Sequence, residues 1–345
     1  MSKLRVAIAG ATGYAGEELL SILQHHPFVE LTTLAASAKR EKPIPLDEVF
    51  PRFAGRVKLS IESLDPHRLA HSCDVAILAL PHGVSMDITP VLLAAGCRVI
   101  DLAGDFRLKD PSVFAQWYGI PHSHPELLNQ AVYGLTEWFR EALTHARLVA
   151  NPGCYATSVI LACAPLLQAS LVDGEGIVVD AKSGLTGAGR KAEAAIMFAE
   201  MNENLWPYKV NHHPHQPEIL QALLPFAGNR RVSCCMVPHV VPLNRGILST
   251  IYLRLHQPCT WDEVAACYHD YYHHAPFVRV RPQGNWPQVR DVAGTNYCDL
   301  GFSVDADHRL LIVCAVIDNL MKGAAGQAVQ NLNLMAGYPE TTGLL

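Results

Sequence analysis

The feature that most constrains the fold is a regular alternation of short apolar runs and helical patterns in the first half of the chain. β-rich runs occupy residues 4–9, 29–34, 75–80 and 98–102, and helical patterns occupy 14–25 and 86–95. Strands that alternate with helices predict a parallel sheet with crossover connections. The first part of the chain is therefore predicted to be a Rossmann-like α/β domain.

The pattern changes in the second half of the chain. Longer β-rich runs follow at residues 176–181, 231–237, 246–255 and 309–316, with fewer helical stretches between them, which favours a mixed or antiparallel sheet. Residues 318–336 are again helical in pattern and rich in small side chains. We expect a first domain at 1–150, a second, α+β domain at 151–317, and a C-terminal helix in 318–345 that returns to the first domain.

Composition narrows the class of protein. The 345 residues suffice for two domains, half of them are hydrophobic, and the net charge of -5 together with the lack of a basic run argues against nucleic-acid binding. Ten cysteines in a chain of this size do not form a disulfide scaffold, and no secretory or membrane-spanning segment is visible. We expect a cytoplasmic protein with reduced thiols and no membrane partner.

A glycine loop follows the first apolar run. Gly10-Ala-Thr12-Gly13-Tyr14-Ala-Gly16 lies between a strand pattern and a helix pattern, where glycines admit a pyrophosphate to the helix N-terminus. About twenty residues further on, the chain has Ser37, Lys39 and Arg40, whereas an NAD-preferring loop has an acidic residue. A hydroxyl and two cations favour a 2′-phosphate, so the expected cofactor is NADP(H).

A cysteine follows a second strand pattern. In Asn151-Pro-Gly-Cys154-Tyr-Ala-Thr157, the turn Pro152-Gly153 separates an apolar strand from a helical run at 156–168. A cysteine at a helix N-terminus is favoured as a thiolate, and the same N–H groups can bind an oxyanion. Cys154 is therefore a candidate nucleophile for covalent acyl chemistry.

Three histidines and a carboxylate precede a later helical pattern. One histidine of Asn211-His-His213-Pro-His215-Gln-Pro-Glu218-Ile219 could exchange protons with Cys154, with Glu218 fixing its tautomer. Metal binding by His213 and His215 is the rival interpretation, but no third ligand accompanies them. We expect no metal.

Several cations and one amide are candidates for substrate binding. Arg107 follows a predicted strand end, Lys182 begins a glycine-rich loop after a strand that ends at Ala181, and Arg245 precedes a strand. Arg245 could bind a carboxylate or equally form a salt bridge. Asn151, which opens the cysteine motif, completes this set with His213.

Six ordered motifs resemble the semialdehyde dehydrogenase superfamily, and within it the N-acetyl-γ-glutamyl-phosphate reductases of arginine biosynthesis. They are the glycine loop, Asp101-Leu-Ala-Gly-Asp-Phe-Arg107, the cysteine motif, Ser183-Gly-Leu-Thr-Gly-Ala-Gly189, His213-Pro-His-Gln-Pro-Glu-Ile219 and Asp318-Asn-Leu-Met-Lys-Gly-Ala-Ala-Gly-Gln327. The resemblance covers essentially the whole chain.

The resemblance implies roles for individual residues. Cys154 is implied as the nucleophile and His215 as the acid/base with Glu218 behind it, while Ser183, Gly184 and Asn319 join the glycine loop in the NADP site. It also implies that 1–150 is the NADP-binding domain and that 151–317 is the catalytic and oligomerisation domain. The implied substrate is an acyl phosphate, and the implied assembly is a homo-oligomer, either a dimer or a tetramer. Two positions depart from the family pattern: Ser158 replaces Gly or Ala, and Pro214 replaces a frequent Arg, which leaves the role of His213 open.

Several alternatives remain at this stage. Reductases of aspartyl phosphate or of a carrier-linked aminoadipyl phosphate share the motif around the thiol. A non-redox cysteine acyltransferase or hydrolase, or a cofactor-sensing regulator, would use only part of these features. A short-chain dehydrogenase is disfavoured because no lysine has a tyrosine four residues before it.

Overall fold

The computed structural model describes residues 2–36 and 42–345, so the predicted 2′-phosphate contacts Ser37, Lys39 and Arg40 lie outside the described residues. The chain divides into two compact units. Unit 1 comprises residues 1–152 and 324–345, and unit 2 comprises residues 153–323.

Unit 1 is built on an eight-stranded sheet. Its strands are β1 (Leu4–Ala9), β2 (Val29–Ala36), β3 (Ile44–Pro45), β4 (Ser60–Ser63), β5 (Val75–Leu78), β6 (Arg98–Asp101), β7 (Val132–Tyr133) and β8 (Leu148–Ala150). Its first six helices are α1 (Tyr14–Leu23), α2 (Leu46–Val49), α3 (Pro66–Ser72), α4 (Ser85–Ala94), α5 (Pro111–Tyr118) and α6 (Thr136–Thr144). The strand order is β3-β4-β2-β1-β5-β6-β8-β7, and every neighbouring pair is parallel except β3 and β4.

The strand order of this sheet reverses beside β1. After β2 the chain adds strands on one side of β1, and it then crosses to place β5 on the other side. Open α/β sheets bind ligands at such a reversal, outside the carboxyl ends of the strands. The glycine loop that follows β1 therefore lies at the edge of the sheet where a nucleotide site is expected.

Unit 2 is built on a seven-stranded mixed sheet. Its strands are β9 (Ile177–Ser183), β10 (Trp206–Pro207), β11 (Cys234–Val240), β12 (Ile247–Arg254), β13 (Val278–Val280), β14 (Cys298–Asp305) and β15 (Leu310–Ile317). Its helices are α7 (Cys154–Gln168), α8 (Phe198–Met201), α9 (His215–Leu223), α10 (Trp261–Tyr272) and α11 (Val289–Val292). The order is β10-β11-β9-β12-β15-β14-β13, in which β9–β11 and β13–β14 are parallel and the other pairs antiparallel.

Helix α7 forms the core of unit 2. All of its residues from Tyr155 to Leu167 are buried, and it packs on β12 and β15. Strand β12 alternates buried and partly exposed residues, as expected when one face of a sheet is covered. Burial on all sides fixes the helix firmly, and with it the position of its first residue, Cys154.

The C-terminal segment completes unit 1. The predicted continuous helix over 318–336 is interrupted, because residues 321–325 form a π-helical turn and α12 begins only at Gly326 (Gly326–Ala336). Helix α12 packs on α1 and α6. Asn333 then donates from Nδ2 to the carbonyls of Glu340 and Thr342, at 3.0 Å each, which holds the tail against the helix.

The predicted fold class is confirmed: a Rossmann-like parallel sheet is followed by an α+β unit with a mixed sheet. Throughout the described ranges, no helix has both the length and the apolar character that crossing a bilayer requires.

Candidate active site

The glycine loop gives α1 an accessible N-terminus. Gly10 has a φ of +89°, and a Cβ on it would lie 2.0 Å from the carbonyl oxygen of Ala79. A Cβ on Gly16 would lie 2.3 Å from the oxygen of Gly10, whereas one on Gly13, the N-cap of α1, would meet only that oxygen, at 3.5 Å. Gly10 and Gly16 thus allow close backbone packing, and Gly13 leaves room for a ligand at the helix terminus. Thr12 and Tyr14 flank Gly13, so the residues present fit a dinucleotide pyrophosphate.

Cys154 is the first residue of α7, and Gly153 is its N-cap. The helix begins two residues earlier than the sequence pattern predicted, and the expected place of the cysteine at the positive end is confirmed. The first-turn N–H groups of a helix have no acceptor within the helix. They are therefore suited to stabilise a thiolate or a developing oxyanion at this position.

His215 lies directly over the residue that precedes the cysteine. A Cβ on Gly153 would fall 2.3 Å from His215 Nε2 and 2.6 Å from two ring carbons. Only glycine at 153 leaves space for this ring, so the imidazole and Cys154 share one small region at the N-terminus of α7. This brings together the predicted nucleophile and the predicted acid/base.

Glu218 contacts the same turn from below. Its side chain is fully buried, and Oε1 accepts the N–H of Gly153 at 2.8 Å. A carboxylate at a helix N-terminus is stabilised by the helix dipole. Glu218 therefore anchors the start of α7, a role that the sequence did not predict.

His213 contacts the first residue of α9, His215. Its Nδ1 accepts the N–H of His215, the first residue of α9, at 3.1 Å, and the two rings are 4.5 Å apart. Tyr155 and Tyr208 pack edge-on against the His213 ring. Burial raises the pKa of Tyr208 to about 12, and it also raises the pKa of Tyr155, so both phenols stay protonated at neutral pH. His213 thus holds His215 in place.

The loop predicted to join the cofactor site is braced within unit 2. Asn319 accepts the N–H of Gly246 at 2.6 Å through Oδ1 and donates to Thr186 Oγ1 at 2.9 Å. A Cβ on Gly184 would be 2.9 Å from backbone atoms of residues 243–245. A Cβ on Gly187 would meet Ser183 Oγ at 3.1 Å and Asn319 Nδ2 at 3.9 Å. Ser183, Gly184 and Asn319 therefore lie together in unit 2, and their place in the cofactor site stays a prediction from the resemblance.

Arg107 and Asn151 are both engaged within unit 1. Arg107 is buried and donates from Nε to the carbonyl of Asn151 at 2.8 Å and from Nη2 to the carbonyl of Leu102 at 2.7 Å. The side chain of Asn151 donates to the carbonyl of Ala324 at 3.1 Å and accepts from Asn331 at 3.0 Å. Both residues organise the backbone at the carboxyl ends of β6 and β8.

Two of the candidate cations, Lys182 and Arg245, form ion pairs, and the expected strand end at Ala181 is wrong. Lys182 does not begin a loop, because β9 continues to Ser183, and its Nζ pairs with Asp180 Oδ2 at 2.6 Å. Arg245 makes the salt bridge that the sequence left open: Nε lies 2.9 Å from Asp318 Oδ2 and Nη2 is 3.1 Å from Oδ1. Each cation is thus neutralised by a carboxylate within its own unit.

Sequence reasoning missed three groups of residues. Gly323 packs against Cys154, Asp318 is a buried hub, and Gln327 and Asn331 form a buried polar network with Thr136. Apart from Thr136, these residues lie in 318–336, where the sequence analysis recognised a family motif and a helical pattern but gave these residues no role. Polar residues inside such a stretch were the available signal.

All ten cysteines lie in the described ranges, and none forms a disulfide. Within residues 2–36 and 42–345, no group of three or more His, Cys, Asp or Glu side chains is arranged to hold a metal ion.

Two sequence families match the chain, one for each part. Residues 5–146 match the family described as semialdehyde dehydrogenase, NAD binding domain, and residues 154–319 match semialdehyde dehydrogenase, dimerisation domain. With a cysteine and a histidine at the start of α7 and a nucleotide fold in unit 1, these matches define a nicotinamide-dependent oxidoreductase of the semialdehyde dehydrogenase class.

Closer relatives narrow the class to one family. Proteins named N-acetyl-γ-glutamyl-phosphate reductase from Symbiobacterium thermophilum and Desulforamulus reducens are 49% and 48% identical to this chain. The alignments cover 99% of this chain in both cases and 97% and 98% of the relatives. The chain belongs to the N-acetyl-γ-glutamyl-phosphate reductase family.

Solved structures with the same fold are more distant. Aspartate semialdehyde dehydrogenase II from Vibrio cholerae, complexed with ASA, has a TM-score of 0.74 at 20% identity and covers 98% of this chain and 99% of its own. The Candida albicans aspartate semialdehyde dehydrogenase with NADP has a TM-score of 0.69 at 16% identity and covers 97% of this chain and 99% of its own. These likenesses establish the shared fold.

Proposed function

We propose that this chain reduces N-acetyl-glutamyl 5-phosphate to N-acetyl-glutamate 5-semialdehyde and phosphate with NADPH, as a step of arginine biosynthesis. The observation that carries the proposal is the placement of the His215 ring on Gly153, beside Cys154 at the N-terminus of a helix whose residues 155–167 are buried. Membership of the reductase family supplies the substrate class.

Cys154 acts first. Its thiolate attacks the γ-acyl carbonyl carbon while first-turn N–H groups of α7 stabilise the oxyanion, and the bond from carbon to the phosphate oxygen breaks. The products are phosphate and a thioester on Cys154. Glu218 keeps the helix start in place through its bond to the Gly153 N–H.

The second half reduces the thioester. A reduced nicotinamide, when bound, would supply the hydride that this step needs, and the thioester on Cys154 would become a thiohemiacetal. His215 accepts the hydroxyl proton of the thiohemiacetal as the carbon–sulfur bond breaks and the aldehyde leaves. The thiolate of Cys154 is then restored.

The cofactor and substrate contacts are part of the same proposal. Gly10, Thr12, Gly13, Tyr14 and Gly16 would hold the pyrophosphate at α1, and Ser183, Gly184 and Asn319 would complete the cofactor site. The preference for NADP over NAD rests on Ser37, Lys39 and Arg40, which stand in place of an acidic residue. Asn151 and His213 support the backbone and the histidine around the reacting groups.

For the departing phosphate, the proposed cation is Arg107, whose Nε and Nη2 donate to the carbonyls of Asn151 and Leu102. Arg107 stands at the carboxyl end of β6, where α/β sheets bind ligands. Its exchange for Lys keeps the charge and loses the planar group, so a weaker phosphate contact would raise the KM for the acyl phosphate.

The decisive experiment replaces the thiol. Cys154→Ala is expected to lower turnover by roughly 10⁴-fold or more, because the nucleophile is gone, and to leave NADPH binding unchanged in a fluorescence titration. Wild-type protein quenched with acyl phosphate in the absence of NADPH should carry an acyl adduct on Cys154 by mass spectrometry. Near-full activity of the variant would refute the covalent route.

Rival functions separate in simple assays. Phosphate-dependent NADP⁺ reduction with N-acetyl-glutamate semialdehyde, aspartate semialdehyde and the aminoadipate analogue distinguishes the reductases that share this fold. A non-redox acyltransferase would show no saturable NADPH binding. A cofactor-sensing regulator would bind NADPH but leave Cys154 unreactive toward iodoacetamide at neutral pH.

We also propose a homo-oligomer, a dimer or a tetramer, in a cytoplasmic setting. The match of residues 154–319 to a dimerisation domain supports the assembly, and the absence of disulfides among the ten cysteines is compatible with a reducing compartment. Light scattering after size-exclusion chromatography tests the assembly. A single species at the 37.7 kDa of one chain would contradict it.

A further inference from the structure

Asp318 is a buried carboxylate that directly follows β15 and accepts four hydrogen bonds. Its side chain has no exposure to solvent. Oδ1 accepts from Leu320 N at 2.8 Å, Met321 N at 3.1 Å and Arg245 Nη2 at 3.1 Å. Oδ2 accepts from Gly294 N at 2.6 Å and lies 2.9 Å from Arg245 Nε. This many charge-assisted bonds fix the local backbone far more firmly than a simple turn would.

The backbone fixed by Asp318 continues into the residue beneath the cysteine. Gly323 donates its N–H to the carbonyl of Asp318 at 3.0 Å, inside the π-helical turn that begins at Met321. A Cβ on Gly323 would lie only 2.8 Å from the Cβ of Cys154 and 3.3 Å from its Cα. π-helical turns are rare and occur often at functional sites.

We infer that Asp318 and Gly323 are positioning residues for the nucleophile: the Asp318 hub shapes the π-helical turn, and the turn sets Gly323 as the surface on which Cys154 rests. Neither residue needs to touch substrate. The inference rests on the proposed role of Cys154, and it assigns Arg245 to the hub, where its charge serves the carboxylate of Asp318.

Cys154 leaves no room for a side chain at position 323. Contacts between carbon atoms of side chains are normally about 3.5–4.0 Å, so a methyl group at 323 must displace the turn or the first residue of α7 by several tenths of an ångström. Because α7 is buried along its length, the displacement is taken up at its first turn. The sulfur then moves relative to the N–H groups that stabilise its anion, and its reactivity falls.

The test measures the reactivity of Cys154 directly. The rate of iodoacetamide alkylation at Cys154, followed by peptide mass spectrometry from pH 5 to 10, is compared in wild type, Gly323→Ala and Gly301→Ala. Gly301 is the matched control, because it lies in unit 2 and its Cβ would meet Pro287 Cδ at 2.6 Å, an equally crowded position whose three nearest atoms belong to Pro287 and Asn285 and not to Cys154. Both glycines lack a positive φ.

We expect Gly323→Ala to lower the alkylation rate at pH 7 at least tenfold and to raise the pH of half-maximal rate. Gly301→Ala should match wild type in both quantities even if its Tm falls. Wild-type alkylation in Gly323→Ala, or an equal loss in Gly301→Ala, would overturn the inference.

Asp318→Asn tests the hub separately. It keeps the side-chain volume but removes the charge that pairs with Arg245, so the pH of half-maximal alkylation should rise as in Gly323→Ala, and kcat should fall with little change in KM. An alkylation profile equal to that of wild type would remove Asp318 from the proposal. Should this variant fail to fold, Gly323→Ala still decides the inference.

Failure of the proposed function would look different. If the chain were not this reductase, wild-type protein would show no phosphate-dependent turnover of N-acetyl-glutamate semialdehyde, while the alkylation comparison among the three proteins would stay valid. If only the positioning inference failed, turnover would be present and the alkylation profiles would coincide.

Discussion

The starts of α1 and α7 use glycine for different purposes. At α1, the glycines face backbone: Gly10 approaches the carbonyl of Ala79, and Gly16 approaches the oxygen of Gly10. At α7, Gly153 faces the imidazole of His215, a side chain that the proposed reaction needs. Backbone contacts of this kind shape a binding surface, whereas a contact to a side chain sets the place of a reacting group.

This difference separates two kinds of damage. Crowding at α1 should harm folding and cofactor affinity, since main-chain atoms on both sides cannot yield cheaply. Crowding at α7 should harm chemistry, since the imidazole can rotate away and leave the fold intact but the base misplaced. Variants that exchange these outcomes would break the comparison.

Gly10→Ala carries the largest expected effect. The positive φ and the 2.0 Å approach to Ala79 together should destabilise unit 1 by about 3–5 kcal/mol and weaken NADPH binding at least ~10³-fold. Denaturant unfolding and fluorescence titration measure the two losses.

The control for this variant is Gly96→Ala, whose φ is +91° but whose Cβ would meet nothing within 4 Å. It should cost only the backbone strain, about 1–2 kcal/mol, and keep cofactor affinity. Equal losses in the two variants would show that strain alone governs the α1 loop.

Gly153→Ala should come next. Its φ of -71° and ψ of 150° suit alanine, so the fold should persist while the displaced His215 ring lowers kcat roughly 10²-fold. Steady-state kinetics measures the fall in kcat, and an NADPH titration checks that cofactor affinity is unchanged.

The equivalent position at α1 provides the control for the backbone. Gly13 has a φ of -77° and a ψ of 166°, and its Cβ would have only the Gly10 oxygen nearby, at 3.5 Å. Gly13→Ala should keep the Tm of wild type. If Gly153→Ala unfolded while Gly13→Ala did not, the close contact between residue 153 and His215 would be needed for the fold and not only for placing the imidazole.

The smallest expected effect concerns the pH dependence of stability and a buried acid of unit 1, Asp101, at the end of β6. Burial, reinforced by the charge of Asp105, raises the pKa of Asp101 to about 7, so the folded state holds its proton more tightly than the unfolded chain does. The stabilisation is complete below about pH 4 and is lost as pH rises through about 7.

Asp101→Asn removes this titration. The stability of the variant relative to wild type should therefore rise by about 3 kcal/mol between pH 5 and pH 8. Denaturant unfolding of both proteins at the two pH values measures it. A difference that does not change with pH would show that Asp101 is ionised in the folded state.

The sequence predicted well wherever a local pattern decides the structure. The run 4–9 has the predicted bounds, and the cysteine lies at its predicted helix terminus. Glycine spacing likewise predicted the α1 loop, because positions with a positive φ or a very close backbone neighbour require glycine.

Prediction failed where partners come from distant parts of the chain. The ion pair of Arg245 with Asp318 spans 73 positions, and the bond from Gly153 to Glu218 spans 65. Neither partner is marked by local periodicity. Lys182 was misplaced for a related reason: pairing with β11 and β12 extends β9 two residues beyond the apolar run that predicted its end.

The return of the last residues to unit 1 has a consequence for biosynthesis. At roughly 5–20 residues per second, the ribosome needs roughly 10–30 s to make residues 153–323. During that interval unit 1 lacks α12, so Thr136 cannot yet form its hydrogen bonds with Gln327 and Asn331. Maturation of the amino-terminal half is thus deferred to the end of translation, and its exposed apolar surface is a natural client for chaperones in the meantime.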